Sequence, residues 1–334
     1  VRAWRQALVM TCGRPKLLPM AHTTLLEQKF RDPFVTAKGE TRGSVDWRGL
    51  KTLWLNTGTL CNIECANCYI KSSPTNDDLV YLTLDDITPF LDEVDALGEG
   101  PKEICITGGE PFMCPDILKI MTAVLERGHS LLVLTNAMRP MMRPRIREGL
   151  KTLQAGHGDR ITMRVSMDHH SRTLHDAERG EGSFDIACEG LAWLAENRFE
   201  TAIAGRQDLA ESEDEARDGY GRLIERLGLK IDPADAKALV LFPEMVEGDS
   251  PPEITTACWG ILDVDPADMM CASQRMVVKR KGAGRASVTA CTLLAYSPEF
   301  ELGETLAAAT DAPVQLNHPW CATFCVLGGA SCSA

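Results

Sequence analysis

Residues 52–68 read Thr52-Leu-Trp-Leu-Asn56, then Thr57-Gly-Thr-Leu-Cys61-Asn-Ile-Glu-Cys65-Ala-Asn-Cys68. The first five form an apolar run of buried-strand length, and three cysteines follow it within one short loop. Three thiolates so close can wrap a compact metal centre. Iron–sulfur clusters are held by cysteine thiolates, and three ligands leave one iron of a cubane open to another partner. A closed zinc site asks for a fourth Cys or His nearby, and no His occurs between Cys68 and His129. Metal-free structural cysteines are the remaining reading of this spacing.

Outward from this stretch, further apolar runs follow at Glu103–Thr107, Leu131–Thr135, Ile161–Ser166, Thr201–Gly205 and Ala238–Phe242. Amphipathic stretches lie between them at Leu84–Leu97, Pro115–Arg127, Ser183–Glu196 and Ser212–Leu227. In the second of these, Ile117, Ile120, Met121, Val124 and Leu125 share one helical face. Strands alternating with helices predict an α/β fold of parallel βα units, as an open sheet or a barrel. Past Pro243 the pattern changes. Pro251-Pro252 marks a connection, and Met276–Lys279 and Ala286–Ala290, split by Gly282-Ala-Gly284, predict a hairpin. A boundary is placed near 245–257. This gives an unassigned extension over 1–50, a βα domain over 51–245 and a smaller domain over 255–334.

Directly after the second strand stands Thr107-Gly108-Gly109-Glu110-Pro111. Two glycines let a backbone edge approach a ligand, and Glu110 offers a carboxylate to an ammonium group. A tight turn opening a helix is the plainer reading. Polar residues also end the later strands, at Asn136, at Ser166 and Asp168, and at Arg206. β/α barrels build their sites at that end of the sheet.

Cys-x3-Cys-x2-Cys after the first strand, with Gly-Gly-Glu-Pro after the second, resembles the radical S-adenosylmethionine (SAM) superfamily. The resemblance implies a partial (β/α)6 TIM-like barrel. It implies that Cys61, Cys65 and Cys68 hold a [4Fe–4S] cluster, that SAM chelates its fourth iron, and that Gly108, Gly109, Glu110 and Pro111 face the SAM methionine amine. Thr135-Asn136 is similar to the family's Thr-Asn-Gly, with Ala137 in the glycine position, and Val165-Ser166-Met167-Asp168 resembles Val-Ser-Leu-Asp. Asn136, Ser166 and Asp168 are thereby implied as SAM contacts, and Arg206 as the partner of its carboxylate. An ordinary strand-end charge is the rival reading for Arg206. His175-Asp176 and Arg179-Gly180 continue the likeness. Many members carry an aromatic residue before the third cysteine, whereas this chain has Asn67, with Tyr69 just after Cys68. That departure touches the adenine side of the site and not the cluster. His169-His170 is read as a solvated loop, with an acid–base pair as the alternative. Glu244 either faces substrate as a base or bridges to the second domain.

Thirteen cysteines are many for such a chain, and in a reducing compartment they point to metal or catalysis rather than disulfides. Cys271, the predicted hairpin, Cys291 and the tail Cys321-x3-Cys325-x6-Cys332 are similar to the SPASM and twitch extensions of the same superfamily. The likeness implies one auxiliary [4Fe–4S] cluster, assigned to Cys271, Cys291, Cys321 and Cys325, with Cys332 or Cys258 able to displace one of them. A structural zinc site is the competing reading. Cys12, Cys105, Cys114 and Cys188 read as small buried hydrophobes.

The net charge of −12 disfavours a nucleic-acid partner. No run approaches the roughly 20 apolar residues of a membrane span, and Val1–Met20 lacks a secretory pattern, so the chain is read as cytoplasmic. The expectation is an enzyme that cleaves SAM reductively to a 5′-deoxyadenosyl radical and takes hydrogen from a small-molecule substrate. A flavodoxin or ferredoxin would supply the electron, and the auxiliary cluster would accept one in a net oxidation. A peptide-modifying maturase is the alternative. An iron–sulfur sensor without catalysis is a reading of a different class.

Overall fold

The structure, a computed structural model, describes residues 28–207, 210–245, 248–329 and 331–332. The readings made for Val1–Met20 and for Cys12 fall outside the described residues.

After a short strand β1 (Ser44–Val45), the chain runs through β2 (Thr52–Asn56), α1 (Leu84–Ala96), β3 (Glu103–Thr107), α2 (Ile117–Glu126), β4 (Ser130–Thr135), α3 (Pro144–His157), β5 (Ile161–Ser166), α4 (Arg172–Arg179), α5 (Ser183–Glu196), β6 (Glu200–Arg206), α6 (Glu213–Leu227) and β7 (Leu239–Phe242). Strands β2 to β7 pair in parallel, each with the next. All five residues of β2 are buried, as expected of a parallel strand covered on both faces. This is the partial (β/α)6 barrel of an α/β protein.

Local signals fix the helix starts. Thr83 and Asp86 form a reciprocal capping box at α1, and Ser212 and Glu215 do the same at α6. Helix α2 buries the five residues expected from its periodicity. Helices α3 and α4 were not foreseen. Helix α3 buries Ile146, Leu150 and Leu153, a narrow stripe on a polar helix that opens with Pro144. Helix α4 buries only His175.

The predicted hairpin forms from β8 (Gln274–Val278) and β9 (Ser287–Thr289), and β10 (Glu301–Gly303) pairs onto β9. Strand β8 lies parallel to β2, Thr52 opposite Gln274, so the hairpin continues the barrel sheet in the order β10-β9-β8-β2-β3-β4-β5-β6-β7. Buried Trp54 donates its indole N–H to Gln274 Oε1 at 3.0 Å, which satisfies the ring's polar edge.

The chain packs as two compact units. One comprises Leu50–Glu244 and Gln274–Asp311 and contains the nine-stranded sheet. The other joins the described residues up to Gly49 with those of Met245–Ser273 and Ala312–Cys332. In that second unit, β1 pairs antiparallel with β11 (Val314–Gln315). The Arg42 guanidinium is buried there against Glu253 at 2.6 Å and also donates to the carbonyls of Asp32, Val35 and Leu316, the full pairing that a buried arginine needs. No helix among the described residues is long and apolar enough to cross a membrane.

Candidate functional site

The glycine pair after β3 is explained by the chain beside it. A Cβ on Gly109 would lie 2.3 Å from the Leu60 carbonyl oxygen, and one on Gly108 would lie 2.7 Å from that of Gly58. Gly108 also has φ +139°, a conformation that side chains resist. The Gly109 N–H donates to Gly58 O at 2.8 Å, and the Glu110 N–H to Leu60 O at 3.2 Å. In the structure the space left by their missing Cβ atoms is filled by the segment that leads into Cys61.

The Glu110 side chain is likewise engaged by the protein. It is 1% exposed. One carboxylate oxygen accepts from the Phe112 N–H at 3.1 Å and the Thr135 hydroxyl at 2.9 Å; the other lies 2.9 Å from the Asn136 N–H and 3.1 Å from the same hydroxyl. A carboxylate offers about four acceptor directions, and these contacts draw on both oxygens. Its side chain therefore ties the end of β3 to the end of β4. Burial pushes its carboxyl up to about 7, against the pull of these hydrogen bonds. Pro111, buried, opens the short turn that follows.

Cys61, Cys65 and Cys68 lie on the loop after β2. Cys61 is buried, and its N–H donates to Ser73 O at 3.0 Å. Asn136 reaches over from β4: its amide Nδ2 donates to Asn62 Oδ1 at 3.0 Å and lies 3.9 Å from Cys61 Sγ. Half-buried Cys68 receives the Ser72 N–H on its sulfur at 3.3 Å. Burial raises the Cys61 thiol to about 12 and the Cys65 thiol to about 11, although Arg179 and Arg206 pull the latter down. Ligation requires thiolates, so metal binding here would release protons. Three sulfurs on one loop, an amide aimed at one of them and guanidinium groups beside another suit an anionic iron–sulfur cluster.

At the ends of β5 and β6 the charges interlock. Asp168, 9% exposed, accepts from Arg179 Nε at 2.7 Å and Nη2 at 3.2 Å. Burial works to raise its carboxyl, but the guanidinium outweighs it and holds the group below the ordinary range. Arg206 stands 3.9 Å from Asp168 and 3.7 Å from Glu178, and donates to Asn67 O at 3.4 Å. It thus lies against the cysteine loop. Ser166 is half-buried at the tip of β5, and Glu244 half-buried two residues past β7.

Sequence reading missed Glu178, which touches that loop, because nothing in its spacing sets it apart from a solvated helix residue. The histidine pair is a correction. His169 is 7% exposed rather than solvated, and Glu211 bridges the two rings, at 2.8 Å from His169 Nε2 and 3.2 Å from His170 Nε2. The Ser171 N–H donates to His169 Nδ1 at 2.9 Å. A neutral ring so held carries its proton on Nε2 and gives it to Glu211, rather than offering that lone pair to a cation. His175 is wholly buried edge-on to Phe184, with neither ring nitrogen hydrogen-bonded. Burial, helped by Arg179, lowers its pKa to about 4.

Cys105 and Cys114 are buried as small hydrophobes, while Cys188 is half-buried. Of the auxiliary set, Cys271, Cys291 and Cys321 are buried and Cys325 half-buried. Cys321 and Cys325 share the π-helical turn Cys321–Leu327. The Cys332 N–H lies 3.1 Å from Met270 Sδ, beside Cys271. The Cys258 sulfur instead lies 3.3 Å from the Thr255 N–H, closing a local turn.

Comparison with known proteins agrees with this geometry. The sequence model of the Radical SAM superfamily matches residues 55–206. The chain is 32% identical over 146 residues to the antilisterial bacteriocin subtilosin biosynthesis protein AlbA of Bacillus subtilis, covering 43% of this chain and 30% of AlbA. It is 29% identical over 140 residues to the AdoMet-dependent heme synthase of Methanosarcina barkeri, covering 42% and 37%. The chain thus spans only about a third of the length of these relatives. Among solved structures, Streptococcus suis SuiB bound to precursor peptide SuiA superposes with a TM-score of 0.57 at 11% identity, covering 86% of this chain and 72% of that one. The match begins within β2 and ends on the last residue of β6, taking in the cysteine loop, the Gly-Gly-Glu turn and every strand-end group from Asn136 to Arg206, so that residues 55–206 carry the sequence pattern of the radical SAM superfamily.

Proposed function

We propose that this chain is a peptide-modifying radical SAM enzyme. The observation that carries the chemistry is the cysteine loop itself. Three thiols stand on the loop after β2, and that loop is hydrogen-bonded through Gly58 and Leu60 to the Gly-Gly-Glu turn and through Ala66 and Asn67 to the end of α4. In this reading Cys61, Cys65 and Cys68 hold a [4Fe–4S] cluster, and SAM occupies the strand ends marked by Gly108, Gly109, Asn136, Ser166, Asp168 and Arg206. When bound, cluster and SAM supply reductive cleavage to a 5′-deoxyadenosyl radical and hydrogen abstraction; the protein positions them and excludes water. Arg206 and Asp168 supply opposite charges for the carboxylate and ammonium ends of an amino acid. Pro111 and Glu110 keep the turn beneath them rigid. Cys271, Cys321 and Cys325, which lie in one of the two units, would serve as ligands of an auxiliary cluster, and a flavodoxin or ferredoxin would serve as reductant.

The substrate class rests on the relatives. AlbA is named for the biosynthesis of a bacteriocin, and SuiB was solved with its precursor peptide. These favour a peptide over the small molecule expected from the sequence. Neither the fold nor the number of auxiliary clusters fixes the substrate. The heme synthase match supports the small-molecule reading as second choice.

The test is 5′-deoxyadenosine production from SAM and dithionite after anaerobic reconstitution. The Cys61/Cys65/Cys68→Ala variant should make none, and peptide extract should stimulate the wild type until the extract is treated with protease. Stimulation that survives protease would favour the small-molecule reading. Equal production by the cysteine variant would sink the radical SAM site.

A further inference from the structure

The cysteine loop is held at two places. At its start, Cys61 bonds to Ser73, and Asn136 bonds to Asn62. Near its end, the Ala66 N–H donates to the Glu178 carbonyl at 2.9 Å, and Asn67 Nδ2 meets both Glu178 carboxylate oxygens at 3.1 and 3.2 Å. Arg206 closes the arrangement, 3.7 Å from Glu178 and donating to Asn67 O.

Glu178 is itself fixed. It is the penultimate residue of α4, whose end is capped by the Gly180 N–H on Asp176 O and locked by Arg179 on Asp168. A carboxylate is an acceptor-only group, so it can take the Asn67 amide and face the Arg206 charge together. Asn67 stands immediately before the third cysteine, where a shift of its backbone moves Cys68 directly.

We infer that Glu178 is a positioning residue for the metal-binding loop. Through Asn67 and Ala66 it holds the Cys65–Cys68 end in ligating geometry, a polar anchor at a position where the side chain is an amide. A preformed loop binds its metal without the cost of ordering itself, so loosening this anchor should speed cluster loss. The inference rests on the cluster assignment proposed above.

The experiment compares reconstituted wild type with Glu178→Ala, Glu178→Gln, Asn67→Ala, the Glu178→Ala/Asn67→Ala double variant and Cys61/Cys65/Cys68→Ala. Cluster loss to a ferrous chelator is followed by the reduced EPR signal that changes on adding SAM, and thermal unfolding is recorded in parallel. Glu178→Ala and Asn67→Ala should each lose that signal about tenfold faster than wild type, and the double variant no faster than either single one, because one contact is being removed twice. Glu178→Gln keeps an acceptor for Asn67 and should stay within about threefold of wild type. Loss at the wild-type rate in Glu178→Ala, with the signal absent from the triple-cysteine variant, overturns the positioning role and leaves the cluster assignment standing. Loss in Glu178→Ala that Glu178→Gln fails to rescue, with an equal fall in unfolding temperature in both, also overturns it as a merely structural effect. A full signal in the triple-cysteine variant overturns the cluster assignment itself.

Discussion

The two shoulders of the cysteine loop are built on opposite principles. On the β3 side, Gly108 and Gly109 press backbone to backbone against residues 57–60, and the fit depends on having no side chain there. On the β5–β6 side, Asp168, Glu178, Arg179 and Arg206 hold the loop through long charged side chains. A backbone contact is insensitive to pH and salt but intolerant of a single methyl. A charged one tolerates small shape changes and depends on every partner being present.

The largest effect should come from breaking the charged side. Asp168→Ala leaves the Arg179 guanidinium nearly buried without its partner, and should cost about 3–5 kcal/mol in urea unfolding. The pH dependence has a defined sign. The folded Asp168 pKa lies below its ordinary 3.8, so its contribution is present above that value and fades as pH falls through the lowered one. An Asp168→Ala variant should lose less stability on acidification over that range than the wild type does.

Breaking the backbone side comes next. Gly109→Ala places a Cβ within 2.3 Å of Leu60 O and should cost about 3 kcal/mol by overpacking. Iron uptake should fall with it, because the displaced segment is the one entering Cys61, and the defect should persist at any pH between 6 and 8 (roughly the stable range of most proteins). A defect rescued by salt or pH would mean that the two shoulders do not differ as described.

His175 sharpens the comparison, since it sits among the charged groups and yet pairs with none of them. Its folded pKa of about 4 lies below the ordinary 6.5, so the unfolded chain binds the extra proton and stability drains as pH drops from 6.5 towards 4. His175→Phe should flatten the unfolding midpoint across that window while leaving it nearly unchanged at pH 8. An equally steep dependence in the variant would assign the acid lability elsewhere.

The smallest effect tests a position where this chain departs from the superfamily. Ala137 has φ +55°, the left-handed region that costs a side-chain-bearing residue about 1–2 kcal/mol. Glycine loses more freedom on folding, which offsets part of that. Ala137→Gly should therefore stabilise the fold by up to about 1 kcal/mol in urea unfolding.

The strands were legible because each is a short apolar run ended by glycine or polar residues, and the cysteine triplet because its spacing needs no tertiary context. Helix α4 was not legible: with His175 as its one buried residue it has no apolar stripe, and it is fixed by the Arg179–Asp168 pair, which periodicity cannot register. Glu110 and the two glycines were found as a motif, but their packing against residues 57–60 and the end of β4 was not. Sequence order separates residues 57–60 from 108–110, and parallel pairing of β2 with β3 brings them together. The hairpin was seen as a hairpin, but its parallel place beside β2 is a long-range pairing that no local pattern encodes.

The Asn67–Glu178 bond joins positions 111 residues apart. During synthesis the three cysteines emerge long before the helix that steadies them, and Arg206 emerges later still. A loop exposed in that interval has one shoulder without the other. On the proposed reading of this loop as a cluster site, iron reaching a chain not yet made through β6 would meet a half-built seat, and iron reaching it afterwards would meet one with both shoulders in place.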